Sequence, residues 1–255
     1  MGHHHCHCDI NDVGMHASAQ LKVIISGGFS APYQQLLPEF ERKSGTKVIT
    51  GSGASQGTGP QTIGAQLARG VAADVVILSR EGLSELIAAN RIAVGTDVDL
   101  AQVPLGVAVR AGAARPDVST VEAFKRTLTN AKAVVMPGST SGIYLMNDLF
   151  PRLGIAEKVN VKVAARGTGV VAMVAAGDAD LAVMPVSEIL SAAGVDFAGT
   201  IPAEIQLVQV FAAAMVAGSK EPDAARGLIE FLASERVSAV IQKSGMEPLG
   251  KRGRD

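Results

Sequence analysis

A chain of 255 residues with 47% hydrophobic content and a net charge of −1 can bury a sizeable core, as one large domain or two modest ones. The balanced charge, without a long basic run, argues against nucleic-acid binding, and no apolar stretch reaches the ~18 residues of a membrane-spanning helix. With 4% aromatic residues and no Trp, the core must be filled by Ala, Val, Ile and Leu.

His3, His4, His5, His7, His16, Cys6 and Cys8 are the only His and Cys residues, and all fall in the first sixteen positions. The remaining body therefore has no His- or thiolate-based metal site, no Cys nucleophile and no Ser–His triad. The Cys/His cluster has soft-metal ligands, but Met1–Cys8 reads more plainly as an affinity tag, with Met15 as a junction. Ala17-Ser18-Ala19 fits the end of a removed secretory signal. No cofactor is expected.

Leu21–Ile25 is short, β-branched and continuous, as in a buried strand. Ser26-Gly27-Gly28-Phe29 follows as a turn. Ser30 is placed to cap a helix with Pro32 in its first turn, Leu36, Leu37 and Phe40 inward, and Gly45 as its end. Lys47–Thr50 is a second strand, and Gly51 to Gly59 a Gly/Ser/Thr loop. Pro60 suits the first position of a helix with Ile63 and Leu67 inward and Gly70 as stop. Ala73–Ser79 is a third strand, followed by a helix marked by Leu83, Leu86 and Ile87. Such alternation indicates a mainly parallel sheet with crossover helices. Ligands sit beyond the carboxyl ends of such strands, where the loops from Ser26, Gly51 and Ser79 begin.

Leu105–Arg110 breaks the rhythm and reads as a connector into a second lobe. Ser119-Thr120-Val121-Glu122 matches a capping box before a helix carrying Val121, Phe124 and Leu128. The strand Ala133–Met136 then enters Pro137-Gly138-Ser139-Thr140-Ser141-Gly142-Ile143-Tyr144, and a helical pattern of Leu145, Met146, Leu149 and Phe150 leaves it. This glycine- and hydroxyl-rich turn aims unpaired N–H groups at one point on the positive end of a helix, a natural seat for a small anion. The chain continues with a strand over Lys158–Ala164, the turn Arg166-Gly167-Thr168-Gly169, a helix with Val170, Met173 and Val174 closed by Gly177, a strand Asp180–Met184, and a short helix from Pro185. Ile205–Ala217 reads as a strand crossing back to the first lobe. Pro222 opens a helix with Leu228, Ile229 and Leu232 inward, and Ser234 caps another ended by Gly245. The two glycine turns are expected to face each other across a cleft.

Taken in order, Ser26-Gly27-Gly28-Phe29, Ala73–Ser79, Thr140-Ser141-Gly142-Ile143-Tyr144 and Gly177–Val183 resemble the periplasmic molybdate-binding proteins of ABC importers, which have the type II solute-binding fold. The resemblance runs from about Leu21 to Pro248. It implies two α/β lobes, each a mainly parallel sheet flanked by helices, joined by two crossing hinge strands. Its expected boundaries are 1–19 tag and signal remnant, 20–104 plus 209–250 lobe 1, 105–208 lobe 2, and 251–255 tail. That family holds its oxyanion with hydroxyls, backbone N–H groups and one Tyr. Carried over by position, its first hydroxyl falls on Gly28, which has none, and its second-loop Ser falls within Thr58–Thr62, around Thr58, Gly59 and Gln61. The backbone donors fall near Ser141–Gly142 and Gly169–Val170, and the Tyr falls at Pro185, which has neither OH nor N–H. With two polar ligands missing, the chain looks more like a divergent branch that takes organic acids, to which aconitate isomerase is also similar.

A polycarboxylate calls for cationic clamps, and Arg suits carboxylate by its bidentate fork; Arg80 after the Ser79 strand end and Arg166 beside Gly167 are the candidates. The plainer alternative for Arg80 is an ion pair with Glu81 or Glu85. Ser139, Thr140 and Ser141 are candidate ligand contacts beyond simple helix capping. Gly27 and Gly28 are candidates for close backbone approach, with Ser26 and Phe29 beside them. Tyr144 is a candidate OH donor, Thr168 and Gly169 belong to the second turn, and Met184 is placed in the cleft or core. The expected function is therefore a monomeric, periplasmic solute-binding protein of an ABC-type importer. It binds a small anion, most simply an aconitate- or tricarballylate-like polyacid, presents it to an inner-membrane permease, and is not itself an enzyme. Molybdate or tungstate is an alternative ligand. The rival is an isomerase that moves a proton on the same scaffold, with Tyr144, an activated Ser or Glu188 as base. A regulator's effector domain is disfavoured, because no helix-turn-helix precedes Leu21.

Overall fold

The computed structural model describes residues 19–250; the expected tag, nearly all of the expected signal remnant and the expected tail lie outside them. Two sheets form the frame. The first has the order β11-β4-β10-β3-β1-β2, with β1 Gln20–Ile25, β2 Lys47–Ser52, β3 Val75–Ser79, β4 Val98–Val103, β10 Gln209–Met215 and β11 Glu247–Pro248. The second has the order β7-β6-β8-β5-β9, with β5 Leu105–Arg110, β6 Val134–Pro137, β7 Val161–Ala164, β8 Leu181–Pro185 and β9 Val195–Thr200. Each sheet keeps a parallel set, β2-β1-β3 and β7-β6-β8, and adds antiparallel strands beside it. Both sheets are therefore mixed, each built around its parallel set.

Apart from β11, the strands paired antiparallel beside these sets are those at the crossings between the sheets. β4 lies in the first sheet and β5 in the second, with Pro104 alone between them, so Leu105–Arg110 is an interior strand of the second sheet and not a connector. The return runs from β9 through a 3₁₀ turn, Ala203–Ile205, to β10. The strand expected over Ile205–Ala217 is thus shorter and starts at Gln209. Similarly, β7 covers only Val161–Ala164 of the strand expected from Lys158.

Period-two alternation puts each strand's side chains on two faces. In the first sheet Val23, Ile25, Val75, Ile77, Phe211 and Ala213 pack with Tyr33, Leu36 and Phe40 of α1 (Ser30–Ser44) and Leu228, Ile229 and Leu232 of a helix, Pro222–Leu232. The Phe40 and Phe231 rings meet at 5.7 Å between centroids. Ile24, Val76 and Leu78 face the other way, onto Ile63 and Leu67 of α2 (Ile63–Ala68) and Leu83 and Leu86 of α3 (Arg80–Ala88). In the second sheet Val107, Val109, Val134, Met136 and Val183 pack with Phe124, Leu128, Leu145 and Phe150. Its other face joins Val135, Ala182 and Met184 to Val170, Val174 and Ile189. Each fully buried Leu, Val, Ile or Phe contributes about 1.5–3 kcal/mol, so all four layers matter.

Several helix ends differ from expectation for local reasons. A 3₁₀ turn, Gly27–Phe29, precedes α1, so Ser30 is inside the helical path and its hydroxyl donates back to the Ser26 carbonyl at 3.1 Å instead of capping. Thr62 rather than the Pro60 region starts α2, its hydroxyl accepting the Ala65 N–H at 3.1 Å. Thr120 caps α4 (Val121–Asn130) by the same geometry, accepting from the Ala123 N–H. The Gly45, Gly177 and Gly245 stops all have left-handed φ.

Candidate functional site

The carboxyl ends of β1, β3, β6 and β8 run into Ser26, Ser79, Pro137 and Pro185, and their loops meet between the sheets. There a cavity of about 40 Å³ is lined by Ser26, Gly27 and Gly28, by Gly53, Ala54 and Ser55, by Ser139, Thr140 and Ser141, by Arg166 and Gly167, and by Pro185, Glu188, Gln209 and Phe211. Three helical N-termini converge on it: the turn Gly27–Phe29 leading into α1, α5 (Thr140–Tyr144), and α6 (Gly167–Ala175). First-turn N–H groups have no intrahelical partner and carry the positive end of the helix dipole, so the field here favours an anion. α5 continues through a π turn, Leu145–Leu149, and a last helical turn, Phe150–Arg152, which lengthens that dipole.

Direct bonds tie the two sheets together around the cavity. Thr140 Oγ1 lies 2.7 Å from Ser79 Oγ, a bond that is fully buried, and donates to Gln56 Oε1 at 2.8 Å. The Gln56 N–H donates to Ser139 Oγ at 3.1 Å. Ser187 Oγ donates to the Gly28 carbonyl, and Arg166 Nη1 to Ser52 Oγ, each at 2.7 Å. Ser55 Oγ accepts the Ser79 N–H at 2.9 Å and anchors the loop that carries it. Ser139 and Thr140 thus line the cavity while their hydroxyls are engaged in contacts between the two sheets.

Two side chains in the wall lack partners. Ser26 is 4% exposed and Gln209 3%, and neither Ser26 Oγ nor Gln209 Oε1 finds a hydrogen bond among the described residues. A buried polar atom left unpaired costs roughly 1–3 kcal/mol, and such groups commonly mark a site that something else completes.

Glycine shapes the rest. A Cβ on Gly28 would lie 2.0 Å from the tip of the Phe211 ring, so the space where the molybdate-type hydroxyl was expected is closed by an aromatic edge. A Cβ on Gly27 would lie 2.0 Å from Glu188 Oε1, and one on Gly167 would lie 2.7 Å from both Glu188 carboxylate oxygens. Glu188 belongs to α7 (Val186–Leu190), whose Val186 packs into the first sheet's core. Its carboxyl is therefore slotted between the glycine turns of the two sheets. Burial pushes its pKa up to about 7, with the Arg166 charge pulling weakly the other way.

On the outer side of Glu188 and Arg166 lies a groove of about 710 Å³, lined also by Gly27, Ser30, Gln34, Thr50, Ser52, Gly167, Thr168 and Ser191. Gly27, Arg166, Gly167 and Glu188 form part of both walls.

Of the residues expected in the site, Ser26, Gly27, Gly28, Ser139, Thr140, Ser141 and Arg166 line the cavity, and Thr168 lines the groove. The others lie elsewhere. Phe29 and Met184 are fully buried core residues. Thr58, Gly59 and Gln61 are exposed in the loop beyond the cavity, where Ser55, three residues before Thr58, takes the expected place. Gly169 lies inside α6 with its Cβ position against Ala164. Tyr144 turns its OH to the Ile205 carbonyl at 2.7 Å and accepts from Arg152. Arg80 binds Asp97 and Asp99, neither of them the Glu81 or Glu85 weighed above, and does not line the cavity; a ligand clamp there does not fit this geometry. Ser55 and Gln209 were missed, while Glu188, weighed above only as a base for the isomerase reading, stands in the cavity wall. The available signals were a lone polar residue opening the apolar strand Gln209–Met215 and a lone acid in the otherwise neutral helix Val186–Leu190.

A family model described as bacterial extracellular solute-binding protein matches residues 21–247. Over 232 residues the chain is 37% identical to a protein from Pseudomonas sp named aconitate isomerase, covering 90% of this chain and 88% of that one. The periplasmic molybdate-binding protein of Azotobacter vinelandii superposes with a TM-score of 0.67 at 19% identity, covering 89% of this chain and 98% of that one. The sulfate-binding protein SubI from Mycobacterium tuberculosis H37Rv gives 0.69 at 18% identity, covering 91% and 87%.

Proposed function

Since this chain belongs to the bacterial extracellular solute-binding protein family, we propose that it captures a small organic polycarboxylate between its two lobes. Its fold is that of the type II periplasmic binding proteins. In this reading residues 20–104 with 209–250 act as one lobe and 105–208 as the other, opening about Pro104 and the 201–208 crossing. The protein works in the periplasm and hands its solute to an ABC permease.

One observation carries the reading: the small cavity and the larger outer groove share Gly27, Arg166, Gly167 and Glu188 as walls. One carboxylate fits the amide-rich cavity, against the Ser26 hydroxyl, while the rest of the molecule passes Arg166 toward the groove. A compact tetrahedral oxyanion has no use for the groove. It would also miss the hydroxyl closed off at Gly28 and the OH absent at Pro185. The 37% identity to a protein named for aconitate supports the same solute class.

The test is a thermal-shift panel followed by calorimetry with cis- and trans-aconitate, tricarballylate, citrate, molybdate and sulfate. A ligand at 100 times its Kd adds about 2.7 kcal/mol of apparent stability. A tricarboxylate is expected to shift the melt most. A large shift with molybdate or sulfate and none with any carboxylate overturns the reading.

A second reading is favoured by the Glu188 carboxyl in the cavity wall, together with the same relative. The chain would then remove a proton from a carbon next to a carboxylate and return it at another position, with Glu188 as general base; a base with pKa near the working pH is well suited. Incubation with trans-aconitate, following cis-aconitate by chromatography, separates the two. Turnover beyond one equivalent per protein establishes the enzyme, and Glu188→Gln should abolish it.

A further inference from the structure

Glu188 is out of keeping with an anion site, and that contradiction is informative. Several elements of the cavity favour negative charge: three helical N-termini, the Ser26 hydroxyl and the Arg166 guanidinium. Into this wall the fold places a carboxyl, and it clears room for it twice, by glycine at Gly27 and at Gly167. The carboxyl accepts no hydrogen bond from the described residues and borders both the cavity and the groove.

The main elements packed on α7 are the turn Gly27–Phe29, α6, β5, β8 and β9, with the Gly245 turn against Val186 and Leu190. From these, Arg166 is the charged side chain that acts on Glu188. Arg110 closes the far end of β5, and Asp196 of β9 is engaged by the Gly112 N–H. An ionised ligand carboxylate in so small a cavity would lie within a few ångströms of Glu188. Two carboxylates sharing such a space cannot both stay ionised, and one takes up a proton. Burial has already pushed Glu188 up to about 7, so it is the group that yields.

We propose that Glu188 takes up one proton from solvent as the polycarboxylate binds, and in its neutral form donates an O–H hydrogen bond to a ligand oxygen. No bond in the ligand is made or broken. Glu188 thereby sets the protonation state in which the site accepts its solute. A fully ionised ligand costs a proton to hold, so capture strengthens as the surroundings acidify. This rests on the polycarboxylate reading of the cavity.

Calorimetry of tricarballylate and trans-aconitate binding to the full chain tests it, between about pH 7.5 and 9, where the ligand's own carboxylates stay ionised. Repeating each titration in buffers of different ionisation enthalpy counts protons directly, without any variant. About one proton per ligand is expected, with Kd rising about tenfold per pH unit. Glu188→Gln, a neutral donor of the same shape, should bind with an affinity independent of pH. Two results overturn the proposal while leaving the polycarboxylate reading intact. One is zero proton uptake with flat Kd in the natural chain. The other is a Glu188→Gln protein that melts normally yet binds no polycarboxylate. Failure of the natural chain to bind any polycarboxylate at any pH overturns both.

Discussion

Arg166 reaches from the N-terminus of α6 to the Ser52 hydroxyl at the end of β2, 2.7 Å away, and so spans the crevice between the sheets. The same guanidinium borders the cavity and the groove. It is a contact between the two sheets and, in the polycarboxylate reading, the cation nearest the ligand. A charged hydrogen bond contributes about 1.5–3 kcal/mol. Arg166→Ala should therefore weaken polycarboxylate binding about 10- to 100-fold by calorimetry, and Arg166→Lys should recover only part, because the planar fork is lost. Ser52→Ala should cost a few-fold at most. An unchanged affinity in the Arg166→Ala protein removes the clamp.

Ser26 is predicted to behave differently with and without ligand. Its Oγ is buried and unpaired, so Ser26→Ala deletes an orphan and should leave the ligand-free melt unchanged or slightly raised. Polycarboxylate affinity should fall about 5- to 15-fold, the worth of a typical hydrogen bond. A drop in stability without a drop in affinity would assign Ser26 to the fold instead.

Stability without ligand should fall as pH rises from about 4.5 to about 7. Glu188 is raised in the folded chain, so over that window the folded state holds more protons than the unfolded one. Stability is fully present below the ordinary carboxyl value and is lost through the folded value. The part-buried carboxyl accounts for on the order of 1–3 kcal/mol. Glu188→Gln should accordingly raise the melting temperature at pH 8 by several degrees and do little at pH 5. Parallel pH profiles for the two proteins would sink this assignment.

Arg80→Ala should spare ligand affinity. Arg80 bonds Asp97 at 2.8 Å and also Asp99, tying α3 to the start of β4, and the partners are about a third or more exposed. Exposed pairs contribute about 0–1 kcal/mol each, so a melt lowered by a few degrees is expected. Loss of polycarboxylate binding in this variant would contradict the placement of Arg80 outside the site.

Gly28→Ala should destabilise the chain with or without ligand. Its Cβ would meet Phe211 Cζ at 2.0 Å, and that ring is 2% exposed in the first sheet's core. Overpacking of this kind costs about 1–3 kcal/mol, read as a lowered denaturant midpoint. By contrast Gly27→Ala meets only the movable end of Glu188, and should alter the pH profile more than the midpoint.

The repeating pattern of strand, turn and helix was legible because Val75–Leu78 is an unbroken buried apolar run and Leu21–Ile25 is interrupted by Lys22 alone. β4 was not, because Asp99 and Gln102 interrupt it, and neither was edge strand β9, where Gly199 takes a φ of 116°. The glycine turns around Gly27 and Ser139 could be placed from composition alone. Position within the Gly/Ser loop could not: Ser55 and Thr58 are chemically similar, and only the bond from the Ser79 N–H to Ser55 Oγ decides between them. Arg80 was misassigned because its partners Asp97 and Asp99 lie 17 and 19 residues away, beyond any local pattern.

Gln209 is the first residue of the strand that returns the chain to the first sheet, and it is also part of the cavity wall. A guest that bonds this amide would hold the strand next to the proposed 201–208 crossing rather than a distant jaw. Recognition and leverage then belong to one side chain, and swapping it for another polar residue would retune how far the molecule swings as well as what it holds.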